Sequence, residues 1–224
     1  MKSPIRLNMK RNPFNTNQSI HNDVKFNDFD VLNHVGCLIN NHLQRTYECI
    51  QRALEKYNRV CVIRFDLYVP EECCHHAMSS NQLVGDFIAS LRAKITYSQQ
   101  RSRASGNRVH ETDVDYIWCR EVSVEGRLHY HVAILLNHNA YAFIGRFSLE
   151  SSNMYSRIHQ AWASALAMYP EDILGYVHIP RKPFYEVIRE DFNSINEAFK
   201  RLSYFSKQNS KEYSRGFHTF GCSR

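Results

Sequence analysis

The sequence predicts an α+β fold in which helices cover an antiparallel sheet, in the ferredoxin-like, split βαβ arrangement that is also RRM-like. Three observations predict this class. Short β-branched segments alternate with longer segments of helical periodicity, a short turn with Gly126 joins two of the strand segments, and the overall order is β-α-β-β-α-β followed by a helix. Right-handed crossovers would place the first and third strands side by side in the centre of the sheet.

The composition indicates one sizeable globular domain with an N-terminal extension. Of the 224 residues, 43% are hydrophobic and 22% are charged, whereas only eight are Gly and six are Pro, so long linkers are not expected. The formal net charge of +6 and the excess of arginine over lysine favour a polyanionic partner, with nucleic acid as the first candidate.

Cysteine usage and hydropathy point to the cytoplasm. The seven cysteines include no C-x-x-C pair, which argues against a disulfide framework or a zinc ribbon and favours a reducing compartment. The sequence contains neither an export signal nor an apolar run of transmembrane length. We therefore expect a soluble cytoplasmic protein without a membrane partner.

The N-terminal part is predicted to precede the main domain. Residues 1–22 are basic, rich in Asn and aperiodic, and we expect them to form a flexible basic arm. Apolar residues from Val31 to Leu54 recur at helical spacing, so residues 23–58 are predicted to form a helical segment of one long or two short helices. The main domain is assigned to residues 59–224.

That domain begins with a strand and a helix. Residues 59–69 are rich in β-branched and aromatic side chains, which predicts a strand. Apolar residues at helical spacing between positions 84 and 95 predict the helix. The polar stretch 98–108 is then expected to be a basic loop or a frayed helix end. Its arginines are Arg101, Arg103 and Arg108.

A hairpin and two further helices follow. Residues 114–122 and 128–136 are predicted strands on either side of the turn. The polar residues 151–153 can cap a helix, and residues 175–179 read as a short strand. The sequence Ser-Ile-Asn-Glu at 194–197 has the form of a capping box that opens the last helix.

The triplet His129-Tyr130-His131 lies in the second strand of the hairpin. Because side chains alternate along a strand, both imidazoles point to one face of the sheet and Tyr130 to the other. Two neighbouring imidazoles offer half of a divalent metal site. The triplet alone is a weak signal, since a chain with 12 His contains such a pattern rather often by chance.

A third ligand is predicted across the hairpin. If the turn is centred on Glu125, Glu121 stands opposite His129, and His131 lies one same-face step further along the strand. A carboxylate with two imidazoles suits Mg²⁺ or Mn²⁺. A register shift of one residue would turn Glu121 to the other face.

Tyr204 and Lys207 are three residues apart on the predicted last helix and would be neighbours on its surface. They pair a nucleophilic phenol with a cation. The Y-x-x-K pattern is also common by chance, so its position after the metal-type strand matters more than the motif itself.

Taken in this order, the motifs resemble those of the HUH endonucleases, the Rep class of rolling-circle replication initiators and nickases. The resemblance covers roughly residues 59–207. Residues 128–137, 201–207 and 220–224 are similar, more narrowly, to prophage and island proteins classed with the inovirus gene II replication initiator.

The resemblance implies a single-strand DNA endonuclease. It would nick and rejoin origin DNA to start rolling-circle replication of a phage, prophage or satellite element in a bacterial host cell. His129, His131 and Glu121 would hold a divalent metal, Mg²⁺ or Mn²⁺. Tyr204 would attack the scissile phosphate and form a 5′-phosphotyrosine, while Lys207 would orient the phosphate or favour ionisation of the phenol.

DNA contacts are expected from two groups of residues. Arg64 and Asp66 belong to a segment that looks like the first-strand motif of the family, which packs beneath the site and contacts DNA. Arg101, Arg103 and Arg108, with the basic arm, would track single-stranded or origin hairpin DNA. The chain has no Walker-type phosphate-binding loop, so a host helicase is an expected partner, as is a polymerase.

One departure from the family concerns the number of nucleophiles. Some phage-type initiators carry two tyrosines four residues apart on the catalytic helix, whereas Lys200 and Gln208 flank Tyr204 at that spacing here. The chain therefore resembles a single-tyrosine enzyme, and a strand-transfer cycle that needs two nucleophiles is not expected.

Two other functions remain open from the sequence. A catalytically silent DNA-binding protein of the same fold would serve as a regulatory or packaging factor. An RRM-like RNA-binding module would instead use exposed aromatic side chains on the sheet for stacking. The candidates for that role are Phe65, Tyr116 and Trp118.

Overall fold

The computed structural model describes residues 9–77, 80–213 and 217–224. It has an α+β fold built on antiparallel sheets, in agreement with the predicted class. The strands are β1 (Arg11–Asn12), β2 (Asn15–His21), β3 (Lys25–Phe26), β4 (Phe29–Asp30), β5 (Leu38–Ile39), β6 (Arg59–Tyr68), β7 (Asp115–Val122), β8 (Leu128–Asn137), β9 (Val177–His178), β10 (Phe184–Ile188) and β11 (Phe220–Cys222). The helices are α1 (Asn40–Lys56), α2 (Glu71–Ala77), α3 (Gln82–Ala104), α4 (Met154–Leu166) and α5 (Phe192–Leu202). None of the described helices is long and apolar enough to cross a membrane.

The largest sheet has six strands, with β6 and β8 side by side in its centre. β10 flanks β6, β7 flanks β8, and β11 pairs with the outer edge of β7. All of these pairs are antiparallel. The predicted adjacency of the first and third strands of the domain is confirmed.

The hairpin of β7 and β8 has the predicted register. Glu121 pairs with His129 across the two strands. At the turn, the N–H of Ser123 donates to the carbonyl of Arg127 over 2.9 Å. Gly126 adopts a φ of +78°, a conformation that glycine tolerates better than other residues.

Both faces of the sheet are buried, and this gives the molecule two hydrophobic cores. The face with Tyr130 and Val132 packs against α3 and α4. The opposite face, with Ala133 and Leu135, packs against α1 and α5. Central strands that are covered on both sides are expected to be mainly apolar, and the buried stretches of β6 and β8 are so except for two charged or imidazole side chains in each.

The N-terminal segment is more ordered than the sequence predicts. Residues 1–8 of the predicted flexible arm lie outside the described residues, but β1 and β2 pair with each other, and β2 also pairs with β5. The predicted helical segment 23–58 is helical in α1 and in one 3-10 turn, and otherwise contributes β3, β4 and β5. Apolar anchors explain the order: the ring of Phe26 lies 5.9 Å from that of Phe199 on α5.

The outer strand beside β6 is displaced from its predicted position at residues 175–179. Only β9 pairs there, and most of this edge is formed by β10. Pro180 and Pro183 lie between β9 and β10 and separate the two strands, because proline has no N–H to donate to a neighbouring strand. The carbonyl of Pro183 accepts instead from the N–H of Arg64 over 2.7 Å.

The two helix starts differ in how well they were predicted. Asn153 caps α4 as expected, since its side chain accepts from the N–H of Ser156 over 3.1 Å. The prediction that a capping box at 194–197 opens the last helix is wrong. α5 begins earlier, and Asp191 caps it by accepting from the N–H of Asn193. α5 then ends at Leu202, and a 3-10 turn continues to Ser206, so Tyr204 lies in a tight turn and not on an α-helix.

Candidate metal centre and nucleophile

The structure brings the three predicted metal ligands together. Glu121, His129 and His131 each offer a ligand atom, and these atoms all lie within 4.8 Å of one another. β8 places both histidines on the sheet face that α1 and α5 cover, and the paired β7 places Glu121 beside them. All three side chains are buried.

The hydrogen bonds of the imidazoles fit metal coordination through Nε2. Nδ1 of His131 lies 2.6 Å from Oδ1 of Asp66, and Nδ1 of His129 lies 3.3 Å from the carbonyl of Arg127. A proton on each Nδ1 would be donated to these oxygens, which leaves the Nε2 lone pairs free for a metal. Among the described residues, Nε2 of His131 is buried without a hydrogen-bond partner. The donor set therefore suits a divalent cation.

Asp66 lies on the neighbouring strand β6, directly opposite His131, and contacts its imidazole. Its Oδ1 contacts His131 and lies 3.3 Å from Nη2 of Arg64, while its Oδ2 lies 3.3 Å from Nδ1 of His178. Burial tends to raise the pKa of Asp66, but the hydrogen bond with His131 and the nearby positive charges outweigh burial and lower it to about 2. The carboxylate is thus ionised and holds the imidazole of His131 in place.

Arg64 and Asp66 were predicted to pack beneath the site and to contact DNA, and the structure buries both of them. They are only 4% and 5% exposed, respectively. The guanidinium of Arg64 lies under the ring of Tyr204, with 5.5 Å between Cζ and the ring centroid. The two residues therefore support the site from inside and do not form an outer surface.

The carboxylate of Glu121 is surrounded by cations and donors. Nζ of Lys207 lies 3.2 Å from Oε2, Nζ of Lys211 lies 3.5 Å from Oε1, and the hydroxyl of Ser210 donates to Oε2 over 2.6 Å. Burial tends to raise the pKa of Glu121, yet the nearby imidazole of His131, 3.6 Å from Oε2, and the charge of Lys211 hold it well below its usual range. Glu121 is therefore ionised, as a metal ligand must be.

Tyr204 lies at the edge of this cluster with its hydroxyl next to Lys207. Nζ of Lys207 donates to Oη of Tyr204 over 3.1 Å, and the rings of Tyr204 and His131 meet edge to face at 5.2 Å. Burial tends to lower the pKa of Lys207, but the hydrogen bond to Tyr204 and the charge of Glu121 raise it overall. The ammonium group is therefore charged and joins the phenol to the cluster.

The turn that carries these two residues is held by the N-terminal segment. The hydroxyl of Ser203 accepts from the N–H of Leu32 over 2.9 Å. The N–H of Gln208 donates to the carbonyl of Cys37 over 2.8 Å, and Leu38 forms a β-bridge with Lys207. The position of the lysine thus depends on residues far away in the sequence.

The structure does not bring the predicted basic residues of the 98–108 stretch to the candidate metal centre. Arg101 and Arg103 lie on α3, which packs on the opposite face of the sheet, and Arg108 follows that helix. Arg103 is also ion-paired with Glu111. Any DNA contact of these arginines would be made away from Tyr204.

Two of the three aromatic side chains that an RRM-like module would use for stacking on bases are buried and cannot contact RNA. Phe65 is fully buried and Trp118 is 8% exposed, and both belong to the core under α3 and α4. Tyr116 is partly buried. These side chains form core, so the RNA-binding prediction loses its main support.

Sequence reasoning missed three residues at the site. Lys211 is fully buried on Glu121, His178 contacts Asp66, and the ring of Tyr68 stacks on His129 at 5.4 Å. Tyr68 could have been found from the β6 to β8 pairing, in which it faces His129. The other two carry no motif and depend on the tertiary fold.

Comparison with known proteins identifies relatives of this chain. The model of the YagK/YfjJ C-terminal domain family matches residues 21–223. Uncharacterized protein YagK of Escherichia coli K12 is 31% identical over 179 residues, which cover 75% of this chain and 85% of YagK. Uncharacterized protein YfjJ of the same strain is 26% identical over 203 residues, which cover 84% of this chain and 96% of YfjJ. No solved structure shows a significant match.

Proposed function

The chain belongs to the YagK/YfjJ C-terminal domain family, and from its site we propose a metal-dependent DNA endonuclease of the HUH type that nicks and rejoins single-stranded origin DNA. One observation carries the proposal. The hydroxyl of Tyr204 adjoins a buried cluster of two imidazoles and a carboxylate, with the ammonium group of Lys207 between them. A nucleophile, a cation and a ligand set for a divalent metal are the groups that phosphodiester transfer requires.

The strand order also supports this class of enzyme. With β6 as the first strand of the domain, the neighbours β10, β6, β8 and β7 run in the order fourth, first, third, second. This is the order expected for the ferredoxin-like, split βαβ fold that the resemblance to HUH endonucleases implies.

Glu121, His129 and His131 would hold the cation, with Mg²⁺ or Mn²⁺ as the candidates. When bound, it would polarise the scissile phosphate as a Lewis acid. The role of Asp66 is to keep His131 oriented, through the 2.6 Å contact with Nδ1.

Tyr204 would perform the covalent step. Its phenolic oxygen bonds to phosphorus while the bond from phosphorus to the 3′ oxygen breaks, and the product is a 5′-phosphotyrosine with a free 3′-hydroxyl. The phenol releases its proton to solvent, and the departing 3′ oxygen takes one up. Lys207, 3.1 Å from the phenolic oxygen, stabilises the negative charge that develops there. Because one phosphodiester replaces another, attack by a 3′-hydroxyl can later reseal the strand.

The biological setting follows from this chemistry. A free 3′-hydroxyl is a primer, so the nick would start rolling-circle replication of a phage, prophage or satellite element in the cytoplasm of a bacterial host. A host polymerase would extend the primer and a host helicase would unwind the duplex. No second tyrosine stands four residues from Tyr204, where Lys200 and Gln208 lie, which favours one nucleophile for each protein molecule.

The test uses single-stranded DNA from the region around the gene, labelled at its 3′ end so that the label stays with the protein. Incubation with Mn²⁺ and a denaturing gel should reveal a covalent adduct for the wild type and none for Tyr204→Phe. Tyr169→Phe, at a tyrosine that is 75% exposed, is the matched control and should form the adduct. An adduct in the Tyr204 variant would refute the assignment, and salt-sensitive binding without any adduct would indicate a silent DNA-binding protein instead.

A further inference from the structure

A second concave feature lies on the face of the sheet opposite to the metal centre. It is a groove between α3 and α4 with a volume of about 620 Å³, within the range of ligand-binding pockets. Its walls are mainly polar and basic. We propose that this groove binds the sugar-phosphate backbone of single-stranded DNA.

The side chains of the groove form one stripe on each helix. On α3, Lys94, Tyr97 and Arg101 are spaced three and four residues apart, and so they share a face. On α4, Arg157 and Gln160 are three residues apart and face them. The groove therefore presents a continuous polar surface from two rigid elements.

The charges of the groove are available to a ligand. Three cations line it, Lys94, Arg101 and Arg157, against a single carboxylate, that of Glu150. In the part of the chain that the structure describes, neither Lys94 nor Arg101 is ion-paired with an acidic side chain. Unpaired cations that converge on a concave surface attract phosphate groups.

Arg157 is held in position from inside the groove. Its Nη2 donates to the hydroxyl of Ser98 over 2.7 Å, and its Cζ lies 5.6 Å from the centroid of the Tyr141 ring. Serine hydroxyls complete the lining and can donate to phosphate oxygens. They belong to Ser98, Ser102, Ser151 and Ser152, whereas the hydroxyls of Ser105 and Ser156 donate to backbone carbonyls.

The exposed ring of Tyr97 favours single-stranded over duplex DNA as the ligand of the groove. Its ring is 65% exposed and lies one helical turn from Arg101. An exposed aromatic ring beside cations is the usual platform for an unpaired base, whereas the bases of a duplex are stacked on each other and unavailable. The groove therefore fits a single strand.

The choice of DNA as the nucleic acid rests on the proposed function. Because Tyr204 and the groove lie on opposite faces of the sheet, the groove would hold a flank of the strand and not the cleaved bond. The groove also separates the arginines that were predicted to contact DNA into those that line it and those that do not. Arg101 faces the groove, whereas Arg103 is paired with Glu111 and does not line it.

The experiment measures binding without cleavage. A fluorescent oligothymidylate of about 20 nucleotides, long enough for a typical single-strand site, is titrated with protein in EDTA at several salt concentrations. Lys94→Ala combined with Arg101→Ala should weaken binding at least tenfold at low salt. The slope of log affinity against log salt should fall by about 1.4, because each lost phosphate contact with a single strand removes about 0.7. Arg103→Ala, on the same helix, is the matched control and should leave both values unchanged.

Tyr97→Ala provides an independent signature. Loss of a stacked base should lower the affinity about tenfold and leave the salt slope unchanged. An affinity and slope of the double variant equal to those of the wild type would overturn the proposal, as would tighter binding of duplex DNA or oligouridylate than of oligothymidylate.

The outcome is separable from that of the nuclease test, because binding in EDTA needs neither the metal nor Tyr204. Groove-dependent binding without a covalent adduct on any origin-region strand would refute only the nuclease. Adduct formation by a protein whose groove variants bind normally would refute only the groove.

Discussion

Lys207 places its ammonium group 3.2 Å from Oε2 of Glu121. The same oxygen lies 3.6 Å from Nε2 of His131, so the lysine borders the space where the predicted ligand atoms converge. A cation on Glu121 and the ammonium group would repel each other, since two unit charges about 4 Å apart interact by about 4 kcal/mol at an effective dielectric constant of 20. Lys207 and the metal are therefore expected to compete for this carboxylate.

Substitution of Lys207 by Met should accordingly tighten Mn²⁺ binding by at least about tenfold and at most roughly a thousandfold, the factor that about 4 kcal/mol represents, while adduct formation slows. Isothermal titration calorimetry measures the first effect and the gel assay the second. Lys200→Met, which removes a lysine paired with Asp30 on the surface, is the control and should leave the affinity for Mn²⁺ unchanged. Equal or weaker Mn²⁺ binding by the Lys207 variant would show that the two cations do not compete.

Asp66→Asn should lower the affinity for Mn²⁺ by about 10- to 100-fold. The amide retains the size of the carboxylate but loses the charge that orients His131 and balances Arg64. Asp113→Asn, at a side chain that is 75% exposed, serves as the control. If calorimetry gives the same affinity for Asp66→Asn and the wild type, the orienting role of Asp66 is wrong.

His42 should make the protein sensitive to mild acid. Burial lowers the pKa of its imidazole well below the usual range, and the charges of Lys211 and Arg45 add to this. Below pH about 6.5, the unfolded chain binds a proton at His42 that the folded protein does not bind. Folding stability should therefore be fully present above that pH and fall as the pH decreases, by up to about 1.4 kcal/mol per pH unit.

Urea unfolding at neutral and mildly acidic pH measures this effect. His42→Phe keeps a ring for the stacking on Phe220, whose centroid lies 4.4 Å away, but removes the titrating group. The variant should lose less stability than the wild type between the two pH values. A loss of equal size in both proteins would assign the acid sensitivity to other groups.

Gly221 should not tolerate a side chain. A Cβ at this position would lie 2.6 Å from atoms of the Trp118 indole ring, which is closer than real contacts allow. Gly221→Ala must displace the indole from its packing on Tyr130, so we expect a loss of about 1 to 3 kcal/mol in unfolding free energy. Gly85→Ala is the matched control: a Cβ there meets nothing within 4 Å, and alanine should stabilise α3 by about 0.5 to 1 kcal/mol. Thermal melts followed by tryptophan fluorescence compare the two variants.

The sequence predicted the central hairpin well because its signals are local. β-branched strands and a turn with Gly126 define the pairing, and the symmetry of residue numbers about Glu125 placed Glu121 opposite His129. The proximity of Tyr204 and Lys207 likewise followed from their three-residue spacing, although Tyr204 lies in a 3-10 turn and Lys207 directly after it, not on a helix. Short-range patterns were sufficient for these parts of the site.

The N-terminal sheet was not predictable in the same way. β2 is polar and lacks the alternation of apolar residues that marks a half-buried strand. Its order comes from partners such as Leu38, which in turn bridges to Lys207 at the other end of the chain. Contacts between residues so far apart leave no periodic signal in the sequence.

The dependence of the Lys207 turn on this segment limits how the protein can be dissected. A recombinant fragment that starts at Arg59 would lack α1, whose residues Leu43 and Ile50 fill the core beneath the site, and would lose the carbonyl of Cys37 that fixes Gln208. The uncovered apolar sheet face would promote aggregation. Deletion of the first 58 residues would thus report on misfolding, and point substitutions are the sounder way to assign a role to the N-terminal segment.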